Sequence, residues 1–129
     1  MNEFGYISIQ TKNVDKTADF YIDNFGFEKV KRYEIEENQE KTILQFIKLE
    51  NTLFEIFSIS NSEEGENGPF AMIGIYVDDI EKKIKELKEK NVEIIDETPW
   101  KGSEEGQLIA GIRGINKEQI MLVQGKFPL

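Results

Sequence analysis

The sequence predicts an α+β domain built from two tandem βαβββ units, and three observations predict it. The chain matches itself at an offset of 66 residues: Phe4-Gly5-Tyr6-Ile7-Ser8-Ile9 lies over Phe70-Ala71-Met72-Ile73-Gly74-Ile75, with Phe4/Phe70, Ile7/Ile73 and Ile9/Ile75 identical. Within each half the apolar period changes in the same order, from that of a strand to that of a helix and back. A stretch rich in Ser, Glu and Gly, 61–69, has neither period and reads as a linker. One domain over 1–129 is therefore expected, with unit one at 1–60 and unit two at 70–129.

Each element follows from local spacing. Ile7 and Ile9 alternate with Ser8 and Gln10, as in a half-buried strand. Val14, Ala18, Tyr21 and Phe25 then recur at one face of a helix, with Asn13 as its cap and Gly26 at its exit. Strands are expected at 27–35, 42–49 and 52–59, the last two joined by a tight turn at Glu50-Asn51. In the second half Ile73 and Ile75 mark the strand, and Ile80, Ile84 and Leu87 the helix. Asp78 and Glu81 are spaced as a capping box, and Asn91 stands where a helix ends. Strands at 92–97, 106–113 and 118–123 follow, with a turn at Asn116-Lys117. Leu53-Phe54-Glu55-Ile56-Phe57 lies over Gln119-Ile120-Met121-Leu122-Val123 at the same offset.

Composition excludes whole classes of chemistry. The chain of 129 residues has no cysteine and no histidine, so Ser-His-Asp and Cys-His hydrolases, zinc fingers and His-based metal centres are ruled out within one chain. Its net charge of −9 disfavours nucleic acid, which needs a basic surface, and favours a cation. No apolar run approaches the ~18 residues of a membrane span, and no basic segment followed by an apolar one opens the chain. A cytoplasmic location without membrane association is expected.

The order of elements and several local patterns resemble the vicinal oxygen chelate superfamily of glyoxalases, bleomycin-resistance proteins and extradiol dioxygenases. Lys12-Asn13-Val14-Asp15-Lys16-Thr17-Ala18-Asp19-Phe20-Tyr21 is similar to that family's first helix, Phe25-Gly26-Phe27 to its exit, and Leu53-Phe54-Glu55-Ile56 to its fourth strand. Gly114-Ile115-Asn116-Lys117-Glu118-Gln119-Ile120-Met121-Leu122 stands at the family's Asp-Pro-Asp-Gly turn and final strand but departs from that wording. The resemblance implies a cupped, incomplete barrel around a ligand, and dimers. In metal-dependent members His or Gln on each first strand and Glu on each fourth strand hold the ion. Those positions here are Tyr6, Met72, Glu55 and Met121. A phenol of pKa ~10 and two thioethers are poor ligands for hard divalent ions, so no metal and no cofactor are expected.

Alternation then nominates a lining. If Tyr6 faces the cup, so do Ser8, Glu55 and Phe57 in one half, and Met72, Gly74, Tyr76 and Met121 in the other. Met72 and Met121 also fit plain packing. Glu55 is the sharpest candidate, because a carboxylate on an inward strand face is costly unless paired or solvated. Lys48 and Arg113 are its possible partners; otherwise it meets a cationic or hydrogen-bonding group of a ligand. Trp100, in the loop Thr98-Pro99-Trp100-Lys101-Gly102, either covers a core edge or borders the ligand site.

Three functions follow from such a lining. The first is metal-independent binding of a small amphipathic organic molecule, similar to the bleomycin-resistance branch, in a homodimer. The second is a glyoxalase-like enzyme with Glu55 as general base and Tyr6 as proton donor. The third is a dimeric interaction module whose cup is filled by its own side chains.

Overall fold

The computed structural model describes residues 2–59, 70–115 and 118–129, with Phe70 and Ala71 described as backbone alone. The expected linker and the turn at 116–117 lie outside the described residues. The elements run β1 (Glu3–Gln10), α1 (Val14–Phe25), β2 (Glu28–Glu37), β3 (Glu40–Leu49), β4 (Thr52–Ile59), β5 (Phe70–Tyr76), α2 (Ile80–Glu89), β6 (Glu93–Ile94), β7 (Trp100–Lys101), β8 (Leu108–Arg113) and β9 (Gln119–Gln124). Two compact units result: residues 6–71, and residues 72–128 together with the opening stretch before Tyr6.

The strand order is β2-β3-β4-β1 in the N-terminal unit and β6-β8-β9-β5 in the C-terminal one. The duplication is visible in the ladders. Parallel pairing sets Ile7 beside Phe54, and 66 residues on it sets Ile73 beside Ile120. The antiparallel hairpins differ by one residue. Leu49 pairs with Thr52 across a two-residue turn, whereas Arg113 and Gln119 enclose a longer connection. Phe46 therefore has Gly111 as its counterpart, at an offset of 65.

Each helix is placed by its cap and its apolar stripe. Asn13 Oδ1 accepts from Lys16 N at 2.9 Å, and Gly26 closes α1 at φ +80°, where a Cβ would be strained. α2 corrects one expectation. Its cap is Asp79, accepting from Lys82 N at 3.1 Å, and not Asp78. Val14 and Ala18 bury against Phe27, Ile47 and Ile56, with Tyr21, Ile22 and Phe54 alongside. Phe25, expected on the buried stripe, is more than half exposed, and Ile22 packs there instead. In the other unit Ile80 and Ile84 bury against Ala110, Ile112 and Leu122. Each fully buried aliphatic side chain contributes roughly 1.5–3 kcal/mol.

The regular strand expected at 92–97 is broken. Only Glu93 and Ile94 pair with β8; the amides of Ile95 and Asp96 both donate to Gly111 O, and the chain rejoins β8 at Trp100–Lys101. Asn38 and Gln39 turn the β2–β3 hairpin with φ of 50° and 69°, as a two-residue hairpin with two left-handed residues requires. Among the described residues no helix is long and apolar enough to cross a membrane.

Candidate functional site

The ladders decide which side chains share a face. Because alternate residues point to opposite sides, Phe54 and Ile56 face α1 and Glu55 and Phe57 face away from it. Ser8 is the parallel partner of Glu55 on β1, and Phe46 is its antiparallel partner on β3. Ser8, Glu55 and Phe46 thus form one row across three strands. Tyr6 lies on the same face and packs edge-on against Phe46, with ring centroids 5.9 Å apart at 87°. Tyr33 meets Phe46 in the same way at 6.1 Å.

Glu55 is the chemically unusual member of the row. It is only 8% exposed, and Ser8 Oγ donates to its Oε1 at 2.8 Å. Burial pushes its carboxyl up to about 7, against the opposing pull of the Ser8 hydrogen bond. Neither possible ion-pair partner is among its described contacts: Lys48 is exposed, and Arg113 Nε lies 3.4 Å from Glu93. The result is a carboxyl poised near neutrality, between a hydroxyl and aromatic rings.

The matching row of the C-terminal unit has lost that chemistry. Met121 has Gly74 beside it on β5 and Gly111 beside it on β8. Its sulfur accepts a contact from Gln119 Nε2 at 3.5 Å. Met72 is the partner of Gln119, and Tyr76 that of Val123. Tyr76 is engaged by the chain itself: Phe127 N donates to its hydroxyl oxygen at 3.4 Å, and Lys126 Nζ lies 5.7 Å from its ring centre. The C-terminal tail therefore docks on its own unit, with Phe127 buried.

Trp100 is not in an open loop. It pairs with Ile109 as part of β7, and its indole N–H donates to Asp96 Oδ2 at 3.2 Å. The same oxygen accepts from Gly111 N at 2.7 Å. Asp96 thus holds the indole edge and leaves the ring nearly half exposed. Sequence reasoning missed both Phe46 and Asp96. Counting back from the turn at Glu50-Asn51 places Phe46 opposite Glu55, so that signal was present. Nothing in the sequence brings Asp96 to Gly111.

The donors do not suit a divalent metal. Glu55 is one carboxylate beside a serine hydroxyl and phenyl rings, and its counterpart is a thioether between two glycines. Among the described residues no three Asp or Glu side chains are grouped to hold an ion.

Comparisons with known proteins bear on the whole chain. A family model for the Glyoxalase/Bleomycin resistance protein/Dioxygenase superfamily matches residues 3–112. Curated proteins give no match. Among solved structures, hypothetical protein BH1468 from Bacillus halodurans C-125 superposes with a TM-score of 0.82 at 18% identity, over 99% of this chain and 97% of that one. Methylmalonyl-CoA epimerase from Mycobacterium tuberculosis gives 0.76 at 15%, over 97% and 88%. A variant of 4-hydroxymandelate synthase from Streptomyces coelicolor gives 0.74 at 13%, over 99% of this chain and 50% of the other. These likenesses are of fold.

Proposed function

Since the chain belongs to the glyoxalase/bleomycin resistance protein/dioxygenase superfamily, we propose that the helix-free face of its N-terminal unit binds a small amphipathic organic molecule without a metal. One observation carries this reading: Glu55 is a buried carboxyl whose described partner is a neutral hydroxyl. A buried carboxylate without a counter-ion is costly, and a ligand bearing a cationic or donating group offsets that cost. Tyr6, Phe46 and Phe57 surround it with buried aromatic rings that a ligand entering beside Glu55 would have to part, and Ser8 fixes the carboxyl's orientation.

The test is calorimetric titration of matched amphipathic pairs, one member an amine and the other its neutral isostere. The amine binds more tightly, by tenfold or more, and its affinity rises as pH passes upward through 7 while Glu55 ionises. Glu55→Gln removes both the preference and the pH dependence. Equal affinities for amine and isostere in the native chain would defeat the proposal.

A second reading is proton transfer next to a carbonyl, and the Glu55 value near 7 favours it. The epimerase among the fold neighbours lends it support. Glu55 would be the base and Tyr6 the donor. Turnover with a bell-shaped pH profile, abolished in Glu55→Gln with binding retained, distinguishes this from sequestration.

A further inference from the structure

The C-terminal unit carries a groove of about 490 Å³, bordered by Glu3, Tyr76, Asp78, Gln124 and Lys126, that no part of the Glu55 reading uses. Its volume falls within the ~300–1,000 Å³ of small-molecule sites. Inside it the chain already places a cation. Lys126 Nζ is bonded to a Glu3 carboxylate oxygen and stands 5.7 Å from the centre of the Tyr76 ring. The hydrogen bond from Lys126 to Glu3, and then the fields of Glu3, Tyr76 and Asp78, raise the lysine above its ordinary range. A carboxylate and an aromatic face are elements by which proteins recognise an organic ammonium.

The backbone on either side of Lys126 is fixed. Gly125 O accepts from Gln107 Nε2 at 2.9 Å, and Phe127 is buried with its N–H on Tyr76. The lysine side chain itself is 59% exposed, as is that of Glu3. Exposed pairs of this kind contribute little and exchange readily. The side chain is therefore free to leave the groove while the tail stays docked.

We propose that this groove is a site for an organic ammonium or guanidinium group, and that Lys126 occupies the cation position as an intramolecular competitor. Binding needs only the exchange of one cation for another, and a ligand whose body fills the rest of the groove displaces the lysine. The site is separate from Glu55 and independent of the function proposed for it.

The 129-residue chain is titrated with n-hexylammonium, guanidinium and neutral n-hexanol, with Tyr76 ring resonances followed by NMR. Lys126→Met keeps the aliphatic stem and removes the competing charge. It should tighten n-hexylammonium at least tenfold over the native chain, with the shift seen at Tyr76 and no comparable gain for n-hexanol. Adding Glu3→Gln to Lys126→Met should return the affinity to the native level or below. Unchanged affinity in Lys126→Met, or a gain that survives Glu3→Gln, overturns the proposal. A cation drawn only by the net negative charge would bind both variants equally and leave Tyr76 unmoved, which also overturns it. Thermal melts of each variant check that the tail remains docked.

Discussion

Ser8 and Glu55 are joined by a buried 2.8 Å hydrogen bond, and the residues at their places in the other unit, Gly74 and Met121, have no such chemistry. The same backbone register thus carries a polar dyad once and a glycine–thioether pair once. Each unit also has its own apolar core on the opposite face.

Glu55 makes stability fall as pH rises. Its folded pKa of about 7 lies above the ordinary carboxyl value of 4.5, so between those values the folded chain holds a proton that the unfolded chain releases. Stability is greatest below the lower value and declines until pH passes 7. Glu55→Gln removes that loss. It should raise stability at pH 8 by on the order of 3 kcal/mol and change it little at pH 4. Urea denaturation of both proteins at the two pH values measures the difference.

Ser8→Ala removes the one bond among the described residues that favours the ionised carboxyl. The Glu55 pKa should then move further upward, read as a carbon-13 carboxyl titration. Stability should fall by about 1–3 kcal/mol at pH 8, where the charged group loses its donor, and by less at pH 5. A pKa that stays put would show that Ser8 does not tune the acid.

The two helix caps are distinguishable by substitution. Asn13→Ala and Asp79→Ala should each cost about 1 kcal/mol. Asp78→Ala leaves the bond between Asp79 Oδ1 and Lys82 N intact, and should not reproduce that loss. Denaturation midpoints of the three variants decide between the two cap assignments.

Asp96→Ala frees both Gly111 N and the Trp100 indole. Loss of the backbone partner should cost about 1–3 kcal/mol. Trp100 is the sole tryptophan, so its emission reports directly; it should shift to the red and lose anisotropy.

Much of the fold was legible because two copies of one pattern check each other. The 66-residue offset read from Ile7/Ile73 and Ile9/Ile75 is the offset of the parallel ladders themselves. The misplaced cap at Asp78 shows the cost of trusting a local motif over that register. Asn13 lies over Asp79, and the repeat had already pointed to the right residue. The broken strand after Glu93 was not legible, because it depends on Asp96 reaching back to an amide 15 residues later. The Ser8–Glu55 bond was half legible: alternation put both on one face. That they stand side by side depends on the parallel register of β1 and β4, which local spacing does not encode.

A duplicated unit is also an internal record of selection. Helix-side positions stayed apolar in both copies, from Ile47 and Ile56 in one to Ile112 and Leu122 in the other, because either core collapses without them. The opposite faces differ: the row Ser8, Glu55, Phe46 in one unit stands where the other has Gly74, Met121, Gly111. The two halves are therefore a control experiment performed within one molecule: the helix-side core is what they share, and the row on the opposite face is what separates them.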